Sequence, residues 1–343
     1  MTYERNLMIY ALRGIIFGIR MIFDKKKRQL FLTDEVYNRV NIFLKELPIE
    51  ILESKKIYED SPSDIRRLDY YLSLHSYDLL SLNFTAGFDI STLRIQLEDV
   101  ITKYEEYTIA LRKDEEDEDW APFYFTAIDE YERCMQLIGL CYLLHRRDLL
   151  PRIAAMQDKI YHEQTDQLDT LYEDFLSFEL ADRYDVDQWF FDNPYRPLIF
   201  SKYRDTKQES IRDIQEYLKL WYPAFESAPW YDLHKMENGG YFGYWAIEAA
   251  AYVYLLDLDD SEITHMIYPK DLVKFAREFV PCEKDISNPS TKTLKCEAGQ
   301  ICLKTGEWYS PANNMEKRHF NQGEDMPEIK DNPWGLTIWY LTE

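Results

Sequence analysis

The sequence predicts a mostly α-helical protein: a multi-helix, bundle-like array followed by a small irregular or β C-terminal extension. Only 11 glycines and 14 prolines occur in 343 residues, so few positions interrupt regular helices. Apolar residues recur at helical spacing behind capping residues up to about residue 281, after which the chain becomes rich in Pro, Gly, Ser and Thr. With 46% apolar and 15% aromatic residues, the chain can bury a large core and is not disordered.

The first helix is predicted from the basic N-terminal stretch. Apolar residues between positions 12 and 23 fall on one helical face, which indicates an amphipathic helix that packs on the core. Arg13 and Arg20 interrupt the apolar run, and no small-residue cleavage site follows, so the stretch does not have the pattern of a signal peptide. Binding of this helix to a membrane surface is the alternative.

The next two helices have start and stop signals. Thr33 is the predicted N-cap of a helix through about residue 51, which Pro48 would kink or end early. Ser63 can cap the following helix, and Gly87 can end it, because glycine adopts the left-handed conformation without a steric cost.

Five more helices follow from the same signals. One is predicted over residues 90–112, and two are joined near residues 146–150, with Pro151 in the first turn of the second. Thr206 caps another, and Pro269 stands at the start of the last. In the extension, "LKTGEWY" and "WGLTIWYL" are the best strand candidates.

The charge of the chain points to the kind of partner it takes. Its 62 acidic and 40 basic residues give a net charge of −22. Such a surface repels nucleic acid and anionic lipid, so neither a direct nucleic-acid partner nor a membrane is expected, whereas a basic protein would be attracted. Solubility alone is the alternative explanation.

Two acidic segments are the predicted contacts for such a partner. The first is the unbroken run Asp114, Glu115, Glu116, Asp117, Glu118 and Asp119, and the second comprises Asp257, Asp259, Asp260 and Glu262. The alternative for each residue is a solvated loop. Trp120 and Tyr241 are predicted to be exposed anchors, because Trp and Tyr are enriched at binding hot spots.

Glu248 is the only charge between residues 239 and 256, a stretch too short and too polar in its first half to span a membrane convincingly. A buried carboxylate requires donors or must stay neutral. Tyr244 and Tyr252 at i±4 and Trp245 at i−3 are the expected donors. A general base with a raised pKa is one interpretation; we favour a structural hydrogen-bonding role for Glu248, and a structural role for Trp245.

Motifs for catalysis and metal binding are weak. His162 has acidic neighbours but not the H-E-x-x-H spacing, and neither a P-loop nor G-x-S-x-G occurs. Cys282, Cys296, Cys302 and His319 could bind zinc, but without a C-x-x-C pair buried apolar cysteines are favoured. No cofactor or metal is therefore expected. Five cysteines at uneven spacing do not form a disulfide framework and indicate a reducing cytoplasm.

A family pattern emerges from "GYFGYWAIEAAAYVYLLDLDDSE" and the later "YPKDLVKFAR". A Gly-Tyr turn, a W-x-x-E-A-A helix, an acidic DDS loop and YPxDLV resemble the C-terminal domain of PoNi-type bacterial immunity proteins. The residues that carry this resemblance are Gly243, Tyr244, Trp245, Glu248, Ala249, Ala250, Asp259, Asp260, Ser261, Tyr268, Pro269, Asp271, Leu272 and Val273. The tail is similar to an extension found in some polymorphic-toxin immunity proteins but has Leu303 where that pattern has Pro.

The resemblance implies a non-enzymatic cytoplasmic protein that neutralises one cognate toxin, delivered by type VI or contact-dependent secretion. The best-known toxins of related systems are DNases with basic surfaces. The expected organisation is an N-terminal helical region over residues 1–150, a PoNi-like helical region over 151–281, and an extension over 282–343 packed on the helical body. A hydrolase-like enzyme using Glu248 or His162 and a toxin adaptor or chaperone remain alternatives.

Overall fold

A computed structural model describes residues 23–161, 168–280, 295–310, 317–330 and 337–341. The chain divides into two compact units, Met1–Phe279 and Val280–Glu343. The predicted fold class is confirmed: the first unit is helical, and the second contains a small sheet. The predicted first helix, His162 and Cys282 lie outside the described residues.

The described helices of the first unit are connected by turns and by loops, of which the longest run over residues 178–194 and 225–246. Their bounds are α1 Asp34–Ile57, α2 Pro62–Thr85, α3 Ile90–Glu115, α4 Ile128–Leu143, α5 Leu150–Gln157, α6 Thr170–Ser177, α7 Tyr195–Ser201, α8 Lys207–Ala224, α9 Ile247–Leu255 and α10 Lys270–Glu278.

Helix α1 begins as predicted but continues past its proline. The Thr33 hydroxyl accepts a hydrogen bond from the backbone N–H of Val36 at 3.2 Å. Pro48 lies inside the helix, which ends at Ile57 rather than near residue 51. Ile51, beyond the proline, is buried in a small cluster with residues of α2. This tertiary packing favours continuation of the helix despite the hydrogen bond that proline cannot donate.

The turn between α2 and α3 depends on Gly87, as predicted. Its φ is +86°, and a Cβ at this position would lie 2.1 Å from the backbone oxygen of Lys26. Both the conformation and the space at residue 87 therefore require glycine.

The N-cap of α2 is Ser61 rather than Ser63, and α3 is capped by Asp89, whose carboxylate accepts from the N–H of Ser91 at 2.8 Å.

Helix α4 is the central element of the first unit, since every residue from Tyr131 to Leu143 is buried. It packs closely on α9 at Gly139, where a Cβ would lie 3.1 Å from Ile247 Cγ2 and 3.3 Å from Ala251 Cβ. Small residues on both helices therefore permit the approach.

Helices α6 and α7 were not predicted from the sequence. Asp169 is the N-cap of α6 and accepts from the N–H of Tyr172 at 3.0 Å. The same buried carboxylate accepts from the Tyr131 hydroxyl at 2.9 Å and from the N–H of Phe190 at 3.1 Å. Burial raises the pKa of Asp169 to about 6. One capping side chain thus links α6 to α4 and to the following loop.

The second unit is a four-stranded antiparallel sheet in the order β1-β4-β2-β3. The strands are β1 Lys295–Glu297, β2 Gly306–Tyr309, β3 Lys317–Phe320 and β4 Ile338–Leu341. The second and fourth lie within the predicted strand segments, whereas the first and third were missed. The core of this unit consists of Cys296, Cys302, Trp308, Met326 and Trp339.

Candidate partner-binding surface

The first acidic segment, residues 114–119, begins inside a helix rather than in a loop. Asp114 and Glu115 form the end of α3, and Glu116 follows in the left-handed conformation at φ 54°. Both helical acids pair with Arg66 of α2, and the Asp114 contact is 3.0 Å. These two residues are therefore partly neutralised within the protein.

The remaining four acids of this segment are exposed. Glu118, with 81% of its side chain exposed, lies 3.7 Å from Lys159. One carboxylate oxygen of Asp117 accepts from the backbone N–H of Asp119 at 2.9 Å. Glu116 to Asp119 thus form the solvent-exposed negative end of the segment.

A cleft of about 360 Å³ adjoins this segment between the first half of α2, the last half of α3 and the start of α4. Its lining residues are Ser63, Arg66, Arg67, Tyr70, Tyr107, Asp114, Tyr124 and Glu130. The Tyr70 hydroxyl donates to Glu130 at 2.8 Å, and burial raises the pKa of Glu130. The cleft therefore combines tyrosine rings with a poorly solvated carboxylate.

The second acidic segment, residues 257–262, is more strongly engaged with the protein. Asp257, with 90% of its side chain exposed, pairs with Lys207 at 2.8 Å. Asp260 is buried, pairs with Arg277 at 2.6 Å and accepts from the Tyr268 hydroxyl at 2.9 Å. Its observed role is therefore internal.

Asp259 and Glu262 are the other exposed acids of the second segment. The Asp259 carboxylate accepts from the N–H of Ser261 at 2.9 Å and so shapes the turn. The predicted contacts of this segment are thus reduced to three accessible residues, Asp257, Asp259 and Glu262.

The two acidic segments lie towards opposite ends of α3. Asp260 pairs with Arg277, and the neighbouring Phe279 ring lies 4.3 Å from the guanidinium carbon of Arg94, near the start of α3. Glu115 is the last residue of that helix. Arg94 and Glu115 are separated by about 31 Å at the helical rise per residue. The structure therefore does not bring the two segments together.

The predicted aromatic anchors are less exposed than expected. Tyr241 is buried, with 1% of its surface exposed, because its hydroxyl and ring face Gln29, Phe31 and Tyr244; the prediction that it is exposed is wrong. Trp120 is half-buried, and its ring lies 5.9 Å from that of the exposed Tyr124. Tyr124 is therefore the more accessible aromatic beside the first acidic segment.

Glu248 lies in a closed environment at the start of α9. One carboxylate oxygen accepts from the hydroxyls of Tyr195 at 3.3 Å and Tyr217 at 3.2 Å. Its other oxygen and the indole N–H of Trp221 have no hydrogen-bond partner among the described residues. Burial raises the pKa of Glu248 to about 8. The carboxylate is completely inaccessible to solvent, so a substrate has no access to it.

The expected donors to Glu248 were wrong. Tyr244 and Trp245 precede α9, which begins only at Ile247, and the hydroxyl of Tyr252 within α9 has no hydrogen-bond partner among the described residues. The Tyr244 hydroxyl lies 3.0 Å from a ring nitrogen of His234, and the Trp245 indole donates to Thr85 at 2.8 Å. The observed donors come from α7 and α8, and sequence spacing alone does not reveal such distant pairings. Trp245 instead links α2 to the segment before α9.

A second buried glutamate, Glu132 of α4, lies in the same core. It accepts from the Gln136 amide at 2.7 Å and from the Trp230 indole at 3.1 Å. Burial and the nearby Glu248 raise the pKa of Glu132 well above its usual range. The adjacent Arg133 donates to Asp78 at 3.3 Å, and its guanidinium carbon lies 4.3 Å from the Tyr77 ring centroid.

The geometry does not favour the metal interpretation. Cys296 and Cys302 are buried in the core of the sheet, whereas 55% of the His319 side chain is exposed. Within the described residues, no group of three His, Cys, Asp or Glu side chains is placed to hold a metal ion. The two described cysteines of the proposed zinc set instead act as small core residues, as the alternative interpretation expected.

Comparison with known proteins adds evidence on the family. Residues 167–272 match the family described as PoNe immunity proteins (PoNi), C-terminal. The predicted resemblance to PoNi-type immunity proteins is confirmed. The PoNi match begins just before α6 and extends into the start of α10, so it includes Glu248, both of its tyrosine donors and the second acidic segment. The first acidic segment and the cleft lie outside it.

The fold also resembles a solved structure. Protein PA2201 from Pseudomonas aeruginosa superposes with a TM-score of 0.55 at 16% identity, covering 73% of this chain and 90% of that one. At this identity the similarity concerns the fold alone. No curated protein sequence matches the chain significantly. Among the described helices, none is both long and apolar enough to cross a membrane.

Proposed function

We propose that the protein is a cytoplasmic immunity protein that binds a cognate antibacterial toxin, a basic nuclease, and neutralises it by steric and electrostatic occlusion. The PoNi match over residues 167–272 carries this proposal. The net charge of −22 supports a basic partner, because complementary charge accelerates encounter and competes with the phosphate backbone for the same basic surface.

The surface we assign to first contact is the exposed end of the first acidic segment, Glu116 to Asp119. Lys159, at 3.7 Å from Glu118, is the nearest cation in an ion pair with these four acids among the described residues. Asp257, Asp259 and Glu262 form a second candidate patch. Asp260 is excluded from the accessible contacts because its pairing with Arg277 and Tyr268 stabilises the fold.

Co-expression tests the proposed class of function. The toxin encoded beside this gene should kill a host alone and be harmless when this protein is present. A nuclease assay with purified components then separates inhibition from carriage, since an adaptor or chaperone would bind without abolishing cleavage. Failure to rescue the host would contradict the immunity function.

Charge reversal tests the assigned surface. Replacing Glu116, Asp117, Glu118 and Asp119 by Lys should slow association with the toxin by on the order of tenfold at low salt and less at high salt. The matched control replaces Asp257, Asp259 and Glu262 by Lys. Stopped-flow association rates across salt concentrations decide between the two patches. If the control variant slows association more than the first variant does, the toxin makes first contact at the second segment.

A further inference from the structure

The cleft beside the first acidic segment contains a carboxylate with an incomplete set of partners. Glu130 accepts one hydrogen bond, from Tyr70, and makes no ion pair with any described residue. Its pKa is raised because burial penalises the charged form. Glu130 is half-buried, and a poorly solvated carboxylate in this condition is stabilised by a cation that can reach it. The cleft supplies the route, since Glu130 lines a cavity of about 360 Å³.

The walls of the cleft suit a planar cation. The rings of Tyr70 and Tyr107 lie 5.3 Å apart, and Tyr124, with 37% of its surface exposed, lines the same cavity. Tyrosine faces attract a guanidinium through their quadrupole, and a carboxylate binds it through charge-assisted hydrogen bonds. The volume is within the range of ligand pockets, which is roughly 300–1,000 Å³.

The two arginines that line the cleft do not make it a site for anions. Arg66 already pairs with Asp114 and Glu115, and Arg67 pairs with Asp64 at 2.8 Å. The side chains that line the cleft or pair with its arginines therefore comprise two cations and four carboxylates, Glu130 included. Arg133 is near enough to lower the pKa of Glu130, but its ion pair is with Asp78. An anionic ligand would have to displace existing ion pairs, whereas a cation would complete a missing one. The exposed acids Glu116 to Asp119 follow closely after Asp114, which lines the cleft, and add negative potential.

We propose that this cleft is a docking pocket for an arginine side chain of the partner, with Glu130 as its anionic base and Tyr70, Tyr107 and Tyr124 as its walls. This inference rests on the proposed function for the identity of the partner. It adds a specific anchor to the long-range charge attraction: the acidic segment speeds encounter, and the cleft holds the complex. Loss of Glu130 should therefore act on dissociation, whereas loss of the exposed acids should act on association.

The first experiment does not involve the toxin. N-acetyl-L-arginine methylamide is titrated into the full-length protein by ligand-observed NMR, with the uncharged citrulline counterpart as the matched ligand. The arginine compound should bind about tenfold more tightly, as expected for one charge-assisted interaction. Glu130→Gln, which keeps an acceptor for Tyr70, should remove the difference. Asp129→Asn, the neighbouring acid that does not line the cleft, should preserve it. Equal binding of both compounds to the wild-type protein would overturn the proposal.

The second experiment uses the toxin encoded beside the gene. Glu130→Gln should raise the toxin dissociation rate about tenfold or more, and Asp129→Asn should leave it unchanged. Circular dichroism and thermal melting verify that both variants fold. If the wild-type protein protects cells and Glu130→Gln binds the toxin as tightly, the arginine pocket is wrong and the immunity function stands. If the wild-type protein gives no protection, the immunity function fails, and the titration alone still decides whether the cleft takes arginine.

Discussion

Glu130 and Glu132 stand two residues apart on α4 but have different surroundings. Side chains two positions apart on a helix point to nearly opposite sides. Glu132 enters the closed core, where Gln136 and Trp230 satisfy both of its oxygens. Glu130 enters the cleft with the Tyr70 hydroxyl as its hydrogen-bond donor. Burial raises the pKa of both carboxylates.

The difference shows that burial and a raised pKa do not by themselves identify a functional acid. The core carboxylates Glu132 and Glu248 are enclosed by donors that belong to the fold. The carboxylate of the cleft has a solvent route and makes no ion pair with any described residue. Because one oxygen of the enclosed Glu248 also has no hydrogen-bond partner among the described residues, access is the property that separates a structural glutamate from a candidate binding residue.

The largest expected effect on stability follows from a substitution in the core around Glu132. Arg133→Ala should lower the free energy of unfolding by about 3–5 kcal/mol, because it leaves Asp78 buried without its cation. Arg67→Ala at the cleft, where 58% of the arginine side chain is exposed, should cost less than about 1 kcal/mol. Urea denaturation measures both variants. Similar losses would show that the two environments are energetically alike.

A smaller, pH-dependent effect is expected from Glu248→Gln. The pKa of Glu248 in the folded protein is about 8, above the ordinary value of 4.5, so the folded state retains a proton that the unfolded state releases. Its contribution to stability is complete below about pH 4.5 and is lost as the pH rises to about 8. The glutamine variant should show a flatter stability profile over this range, by on the order of a few kcal/mol.

Urea denaturation at several pH values between 5 and 8.5 measures this slope. Glu237→Gln, at an exposed position, is the matched control and should reproduce the wild-type profile. Glu132 and Asp169 have raised pKa values too, so part of the slope should persist in the Glu248 variant. A variant profile as steep as the wild-type one would mean that Glu248 titrates normally in the folded protein.

The smallest stability effect is expected at the cleft wall. Tyr124→Ala removes a ring that is 37% exposed, and it should change the free energy of unfolding by about 0.5 kcal/mol or less. Thermal melting beside the wild-type protein checks this. A loss of several kcal/mol would indicate that Tyr124 belongs to the core and would weaken the distinction between cleft and core.

Local signals predicted much of the helical unit. Thr33 and Thr206 act as N-caps, Gly87 ends a helix, and Pro151 stands in a first turn, since each depends on chemistry within a few residues. Pro48 did not end its helix, because contacts of Ile51 with a distant segment outweigh the local cost. The short helices α6 and α7 were missed for a similar reason: tertiary packing stabilises them more than length or periodicity.

The candidate site was predicted only in part. The acidic run could be recognised because its residues are consecutive. The cleft could not, because Arg66, Tyr107 and Glu130 come from three helices and meet only after folding. Glu248 was recognised as a buried carboxylate, but its donors Tyr195 and Tyr217 lie 53 and 31 residues away along the chain. A pattern that spans one helical turn contains no information on such pairings.

The length of α3 sets a limit on the partner. A standard interface covers about 800 Å² on each side, which corresponds to a round footprint about 32 Å wide. Such a footprint centred on one end of α3 extends only about halfway to the other end, since Arg94 and Glu115 are about 31 Å apart. A toxin domain whose interface is centred on one acidic segment would therefore leave the other in solvent, and an interface centred midway along α3 would reach both only at its rim. Contact with both segments at the centre of an interface therefore requires an elongated toxin or two separate molecules.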